Sequence, residues 1–172
     1  KYDRTVIGNS NPKHFGGLNN TFKYKNFDLN LFFQWSYGND IFNESKLREH
    51  GYQPAFNVTK EYYNNYWSET NPSNVYPGLG MINILPSSYF VEDGSFLRLK
   101  TLGLGYNVSN KILRKSGMSS VRFSVTATNL LTWTKYTGLD PEVNSSNPLF
   151  RGLDRFAYPR PRTIAFAVNV RF

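Results

Sequence analysis

The side chains that could do acid–base, nucleophilic or metal chemistry are sparse in this sequence and form no recognisable catalytic set. The chain has no cysteine and only two histidines, His14 and His50, which excludes a thiolate metal site, a disulfide framework and a histidine-rich metal centre. Its serines have no evident activating base. The carboxylates show no paired spacing supported by a histidine: Asp28, Glu61, Glu69, Asp93, Asp140, Glu142 and Asp154. The sequence therefore predicts a protein that is not an enzyme and needs no cofactor.

The composition favours a protein that works through surfaces. The 172 residues are enough for one domain with a core, and the formal net charge is +8. The basic residues are scattered and form no basic helix, so a nucleic-acid partner is not predicted. Charged residues make up 19% of the chain and aromatic residues 17%, whereas about 25% charged residues is average. A composition low in charged residues and high in aromatic residues is typical of aromatic girdles at a membrane boundary, or of platforms on which sugars stack.

Two adjoining segments near the start of the chain alternate apolar and polar residues, which predicts a β-hairpin. A two-residue turn after Tyr24 would set that residue opposite Phe27, and Leu18 opposite Phe33. The apolar side chains of both strands then lie on one face. Because a slip of one residue would move one set to the other face, the two apolar patterns support the same register.

The same alternation predicts five strands joined in turn by short and long connections. We expect strands at about 14–24, 27–42, 89–108, 119–135 and 162–172, with long loops at about 43–88 and 136–161. Within the first loop, Thr59 is a candidate N-cap for a short helix through Tyr66. Long connections that all lie at one end are typical of outer-membrane barrels, which have short periplasmic turns and long extracellular loops.

Arg98 and Lys100 conflict with a purely apolar membrane face, because they share the phase of Leu102 and Leu104. A charge at the bilayer midplane costs about 2–4 kcal/mol, and about 0–1 kcal/mol near the interface. We therefore expect both residues above the outer boundary, where lipopolysaccharide phosphates could pair with them. The alternative is a β-bulge that inverts the phase.

Four segments carry a resemblance to a known family. They are "DRTVIGNSNPKHFGGLNNTFKYKNFDLNLFFQWSYGNDIFN", "YFVEDGSFLRLKTLGLGYNVS", "SVRFSVTATNLLTWTKYTGLDPEV" and "YPRPRTIAFAVNVRF". In this order they resemble the C-terminal part of the β-barrel of SusC/RagA-type TonB-dependent outer membrane transporters of Bacteroidota. The resemblance covers essentially the whole chain, and motifs such as "EDGSFLRLK" and "NLLTWTKYTGLDPEV" are specific to the family.

The resemblance implies an all-β fold, namely an antiparallel transmembrane β-barrel segment. Residues 1–172 would supply the five C-terminal strands of a barrel of about 22 strands, with long extracellular loops. The plug domain would be absent from this segment. An open five-stranded sheet leaves two unpaired edges in lipid, which is not viable, so the missing strands and the plug are expected partners.

The resemblance also implies a function, which is nutrient uptake of oligosaccharides or peptides through the bacterial outer membrane. Expected partners are a SusD-like lipoprotein that closes like a lid, the TonB complex acting through the absent N-terminal part, the glycan or peptide cargo, and lipid with lipopolysaccharide. The loops would be extracellular and the C-terminus periplasmic. The alternative is a soluble aromatic-rich β-sandwich that binds glycans, with its apolar faces buried between two sheets.

Three groups of residues are candidates for functional contacts. The terminal strand alternates apolar residues to its last position, which resembles a C-terminal assembly signal: Ile164, Phe166, Val168, Val170 and Phe172. Aromatic girdles are expected at the two membrane boundaries: Tyr24, Phe27, Trp35, Tyr37, Tyr106 and Trp133. Aromatic residues of the first loop either contact the ligand or lid or pack the loop on itself: Tyr62, Tyr63, Tyr66, Trp67 and Tyr76.

Overall fold

The computed structural model describes residues 4–50, 57–79, 85–114, 117–143 and 150–172. The chain divides into two compact units. The sheet unit consists of residues 13–37, 95–134 and 159–172, and the loop unit consists of residues 1–12, 38–94 and 135–158. Among the described residues, no helix is both long enough and apolar enough to cross a membrane.

Strands dominate the described residues, and the helices are short. A 3-10 helix spans Ser88–Phe90. In chain order the other elements are β1 (His14–Tyr24), β2 (Phe27–Tyr37), β3 (Asp40–Asn43), α1 (Glu44–His50), α2 (Lys60–Asn65), β4 (Val91–Asp93), β5 (Phe96–Asn107), α3 (Asn110–Leu113), β6 (Ser120–Thr134), β7 (Leu153–Asp154) and β8 (Thr163–Arg171).

The sheet unit is one antiparallel sheet with the strand order β1-β2-β5-β6-β8. The predicted β1–β2 hairpin is confirmed, because Tyr24 lies opposite Phe27 and Leu18 lies opposite Phe33. The first turn residue, Lys25, has a φ of 51°. That left-handed conformation is what primed hairpin turns require at their first central position, and it matches the twist of the two strands.

Two of the predicted strands are each interrupted in the structure. The strand predicted at 27–42 is β2 followed by β3, since Gly38 between them has a φ of 77° and redirects the chain. The strand predicted at 89–108 is a 3-10 turn, then β4, then β5 after a break at residues 94–95. The short pieces form a separate sheet of the loop unit, with the order β4-β3-β7.

A β-bulge at Lys100 interrupts the register of the sheet. On β2, Phe33 pairs with Leu99 and the adjacent Phe32 pairs with Thr101, so Lys100 is the extra residue. The pairing of β5 with β6 shifts at the same position. An extra residue inverts the alternation of the strand that carries it. The leucines of β5 before and after the bulge therefore lie on the same face.

The bulge moves the two basic residues of β5 to the polar face. Arg98 lies opposite Gln34, and the Lys100 Nζ donates a hydrogen bond to Gln34 Oε1 at 2.7 Å. The expectation that both residues lie on the lipid side above the outer boundary is therefore wrong. The alternative, a bulge that inverts the phase, is confirmed.

An ion pair crosses three strands on the same polar face. Arg122 of β6 donates from Nη1 and Nη2 to the two carboxylate oxygens of Asp28 on β2, at 2.7 and 2.8 Å. Its Nη1 also donates to Asn107 Oδ1 at 3.1 Å. The pair lies over Gly105 of β5, where a Cβ would overlap Arg122 Nη2 and approach Asp28 Oδ1 to 2.7 Å. Glycine at this position therefore makes room for the ion pair.

The loop unit has a small core of its own. Ile41 of β3, Phe90 of the 3-10 helix and Tyr62 of α2 are fully buried. The predicted cap of α2 is confirmed, because Thr59 Oγ1 accepts a hydrogen bond from the Tyr62 N–H at 3.2 Å. The helix ends at Asn65, one residue before the predicted end.

Glu92 of β4 joins three parts of the loop unit through its carboxylate. It accepts hydrogen bonds from the Thr137 N–H at 2.8 Å and from the Thr137 hydroxyl at 2.8 and 2.9 Å. Asn43 Nδ2 and Lys46 Nζ approach it at 3.3 and 3.4 Å. Burial raises the pKa of Glu92, but the bonds from Thr137 and the charge of Lys46 outweigh it, so the pKa lies below its ordinary value.

The ion pair over β5 gives a test with a matched control. We expect Gly105→Ala to lower the thermal unfolding midpoint, because the new methyl group displaces the Arg122–Asp28 pair. Gly103→Ala is the control, since a Cβ at that position meets only Asn30 Cβ at 3.7 Å, and its effect should stay within about 0.5 kcal/mol. Thermal unfolding in detergent, followed by circular dichroism, measures both. Equal midpoints for the two variants would contradict the role assigned to Gly105.

The Glu92 carboxylate predicts acid sensitivity of the loop unit. Its folded-state pKa is lowered from 4.5, so its contribution to stability is present above that value and lost as the pH falls through the folded-state pKa. Glu92→Gln should lose this contribution at neutral pH, and the stability of the variant should depend less on pH below about 4.5. The exposed Glu69→Gln is the control. Hydrogen exchange of the Thr137 amide as a function of pH measures the stability of this region. If Glu92→Gln loses stability at acidic pH as the wild type does, the prediction is wrong.

Candidate functional site

One face of the five-stranded sheet is apolar and exposed. A single row of paired residues crosses all five strands: Phe22, Leu29, Leu104, Val125 and Phe166. Phe22 is 56% exposed and Phe166 is 78% exposed. A contiguous apolar surface of this kind marks contact with a membrane or a partner. A soluble sandwich would bury this face against a second sheet, so the β-sandwich alternative is wrong.

The opposite face is polar along the same strands. Asn30 on β2 donates hydrogen bonds across to Asn19 Oδ1 at 3.1 Å and Thr21 Oγ1 at 3.0 Å on β1. The Asp28–Arg122 ion pair and the Lys100–Gln34 hydrogen bond lie on this face as well. The sheet therefore has one apolar face and one polar face.

Three predicted girdle residues meet at one end of the apolar face. Tyr24, Phe27 and Tyr106 are neighbours in one row across β1, β2 and β5. The rings of Phe27 and Tyr106 lie 4.6 Å apart between centroids. This end of the sheet carries the tight β1–β2 turn.

The other three predicted girdle residues lie at the opposite end of the same face. Trp35 and Trp133 flank Leu97 in a row across β2, β5 and β6. Tyr37 stacks on the His14 ring at 5.0 Å, and Trp35 Nε1 donates to His14 Nδ1 at 3.2 Å. The structure therefore gathers the six residues into two groups at the two ends of the face. Their role at a membrane boundary stays a prediction.

The apolar residues of β8 extend this face to one edge of the sheet. They pair with apolar residues of β6, as in the rows Val168–Phe123 and Val170–Val121. All five predicted residues are exposed: Ile164, Phe166, Val168, Val170 and Phe172. Their proposed role as an assembly signal stays a prediction.

The five loop aromatics divide into buried and exposed residues. Tyr62 is 0% exposed, and its hydroxyl donates to the carbonyls of Pro77 and Gly78, each at 3.2 Å. Tyr76 contacts Tyr62 edge to face at 5.8 Å and donates to Glu61 Oε1 at 2.7 Å. That hydrogen bond, together with burial, raises the pKa of Tyr76 to about 12. We therefore remove Tyr62 from the candidate contacts, because it packs the loop on itself.

The exposed aromatic residues lie in α2 and directly after it. Tyr63 is 60% exposed and Trp67 is 45% exposed, while Tyr66 lies between them and tilts against Tyr63 at 6.2 Å between ring centroids. We call Tyr63, Tyr66 and Trp67 the aromatic cluster. It keeps ring surface available for a partner.

The loop unit also contains a cleft of about 380 Å³ that sequence reasoning did not foresee. Glu49, Glu61 and Phe156 line it, together with the buried Asp154, which accepts a hydrogen bond from the Tyr136 hydroxyl. Burial, followed by the charge of Asp154, raises the pKa of Glu49. In the described part of the chain, no group of three or more potential ligands could hold a metal ion. These residues are far apart in sequence, so no local pattern could have identified the cleft.

The sequence is similar to TonB-dependent receptors over nearly its whole length. TonB-dependent receptor P3 of Formosa agariphila is 42% identical over 176 residues, which covers 99% of this chain and 17% of that protein. TonB-dependent receptor SusC of Bacteroides thetaiotaomicron is 31% identical over 158 residues, which covers 91% of this chain and 15% of that protein. The chain thus spans less than a fifth of the length of the curated relatives it matches. No family model matches the chain.

Solved structures of RagAB share the fold. The RagAB peptide transporter matches with a TM-score of 0.79 and 26% identity, over 96% of this chain and 18% of that chain. The RagAB peptide importer in its open-open state matches with a TM-score of 0.75 and 26% identity, over 97% of this chain and 18% of that chain. The predicted resemblance is confirmed: this chain belongs to the SusC/RagA-type TonB-dependent receptors of the bacterial outer membrane, and it matches one segment of their β-barrel.

Proposed function

We propose that this chain forms part of the wall and loops of an outer-membrane importer for oligosaccharides or peptides. The observation that carries the proposal is the two-sided sheet, which exposes an apolar face on one side and a polar, charged face on the other. A barrel wall between lipid and a water-filled lumen needs this arrangement. The RagAB structures are those of a peptide importer, which supports a transport role without bond-making chemistry.

The length of the strands fits the apolar part of an outer membrane. Phe27 and Tyr37 lie at the two ends of β2, and their separation along the strand is about 34 Å at about 3.4 Å per residue. With a tilt of about 40°, the span along the membrane normal is about 26 Å, close to the apolar band of about 25 Å.

The apolar residues of β8 are displaced relative to those of β2, as a tilted wall requires. Ile164, the first apolar residue of β8, lies in the same hydrogen-bonded row as Ala127, Leu102 and Leu31. Leu31 is in the middle of β2. In a barrel whose strands tilt by about 35–45°, residues at equal height do not share a row. This displacement supports a tilted barrel wall.

The connections suggest the orientation in the membrane. The turn after Tyr24 and the segment 108–119 are short, whereas the connections 38–95 and 135–162 are long. By analogy with other outer-membrane barrels, the long ones would be extracellular and the end of β8 periplasmic. Strands β1 and β8 are the edges of the sheet, so the remaining strands and the plug would be obligatory partners.

The exposed aromatic cluster is our candidate contact to a SusD-like lipoprotein lid or to cargo. Aromatic rings give large contact areas to proteins and stack on sugars. The remaining partners in the proposal are the TonB complex, reached through parts of the receptor outside this segment, and the surrounding lipid and lipopolysaccharide.

The lipid-facing assignment predicts different costs for charges on the two faces. Leu31→Arg places a cation near the middle of the apolar face and should lower the free energy of unfolding by about 2–4 kcal/mol. The control is Thr126→Arg on the polar face, where Thr126 faces Gly103 and Ala165 across the strands. Urea unfolding of the full-length receptor in lipid vesicles measures both variants. Equal losses at the two positions would refute the assigned faces and, with them, the barrel-wall proposal.

The aromatic cluster predicts an effect on lid or cargo binding. We expect Tyr63→Ala combined with Trp67→Ala to weaken the complex with the lipoprotein by about 2 kcal/mol, because the loss of central aromatic contacts has this cost. The exposed Leu85→Ala is the control. Binding of the purified lipoprotein to the receptor, measured by calorimetry, tests the effect, and parallel titration with cargo distinguishes the two partners. Unchanged affinity for both partners would remove the cluster from the proposal.

A further inference from the structure

The charged residues of the five strands all lie on one face of the sheet, and most of them are positive. All of them lie on the polar face, by the pairing of the strands and the bulge at Lys100. They are five cations and one carboxylate: Lys23, Asp28, Arg98, Lys100, Arg122 and Arg171. The apolar face carries none of them. The polar face of these strands therefore has a formal charge of +4, from five positive charges and one negative charge.

The one carboxylate of these strands, Asp28, pairs with Arg122. Asp28 receives both terminal nitrogens of Arg122 at 2.7 and 2.8 Å. The strands themselves supply no second carboxylate. The positive excess is thus a property of the wall that the strands form.

The positive charges lie toward both ends of the polar face. The bulge places Arg98 and Lys100 near the end of the sheet that leads into the long loops, and Lys23 and Arg171 lie near the opposite end. Arg98 is only 2% exposed, so cargo in the lumen would not contact it. Lys100 is partly exposed and is held in position by its hydrogen bond to Gln34.

We propose that the cargo that passes this wall is anionic, namely an oligosaccharide that bears carboxylate or sulfate groups or an acidic peptide. The inference rests on the proposed importer function, since only in a lumen does the polar face meet cargo. A water-filled passage lined by one sign of charge concentrates ligands of the opposite sign and accelerates their association. Lysine and arginine side chains are also the natural donors to carboxylate and sulfate oxygens.

The experiment measures association of acidic and neutral probes with the full-length receptor in detergent. The acidic probes are a galacturonate oligomer, a sulfated galactose oligomer and an aspartate-rich peptide, and the neutral probes are a glucose oligomer and an uncharged peptide of equal lengths. We expect at least one acidic probe to associate about tenfold or more faster than its neutral counterpart, with a rate that falls as salt is raised. The class of cargo is identified by the acidic probe whose association rate most exceeds that of its neutral counterpart.

The variant that tests the wall is Lys23→Gln, Lys100→Gln and Arg171→Gln combined, which leaves the Asp28–Arg122 pair and the buried Arg98 intact. Its control, Lys25→Gln, Lys60→Gln and Lys111→Gln combined, removes three exposed charges that lie outside the polar face. We expect about a tenfold lower association rate of the acidic probe for the wall variant, and no change for the control or for neutral probes. If the wall variant fails to fold, Lys100→Gln alone should show a smaller decrease of the same kind.

Three outcomes would overturn the inference. In the first, wild-type receptor shows no preference for acidic probes. In the second, the control variant loses as much as the wall variant, which would assign the effect to net charge alone. In the third, the receptor associates with neutral probes and not with acidic ones, which leaves the importer function standing. Failure of every probe of either charge to associate would instead overturn the importer proposal together with the inference.

Discussion

The alternation of side chains along the strands is the constraint on which the rest of the sheet depends. Because successive residues point to opposite faces, an apolar face and a charged face can coexist only if the phase is kept along every strand. β5 satisfies this constraint through its bulge. Without the extra residue at Lys100, either Arg98 or the leucines after the bulge would lie on the wrong face. One irregular residue thus keeps the apolar and the polar side chains of β5 on separate faces.

Small residues and hydrogen bonds complete the polar face. The Arg122–Asp28 ion pair reaches across the middle strand only because residue 105 has no side chain. On the same face, Asn30 joins β1 to β2, and Lys100 joins β5 to β2. These contacts connect neighbouring strands through side chains in addition to the backbone ladder. The polar face is therefore linked across strands by side chains as well as by the backbone.

The loop unit folds from long polar segments and has only a small apolar core. It uses buried polar groups whose hydrogen bonds are satisfied, such as the Glu92 carboxylate and the Tyr136–Asp154 pair. Tyr62 contributes both apolar area and two hydrogen bonds to backbone carbonyls. Such networks rigidify a loop when every member has a partner. In the same unit, Tyr63 and Trp67 of the aromatic cluster remain exposed.

The sequence by itself determined the features that depend on neighbouring residues. The β1–β2 hairpin and its register followed from two alternating patterns and a two-residue turn, and the Thr59 cap followed from a local hydrogen bond. Only the tertiary structure decided the face of Arg98, because a bulge is defined by the partners on adjacent strands. It also decided the burial of Tyr62, whose hydroxyl bonds backbone 15 and 16 residues away, and the Asp28–Arg122 pair, whose members are 94 residues apart. Contacts at such separations arise from how strands and loops come together, and no periodicity within a single strand or loop specifies them.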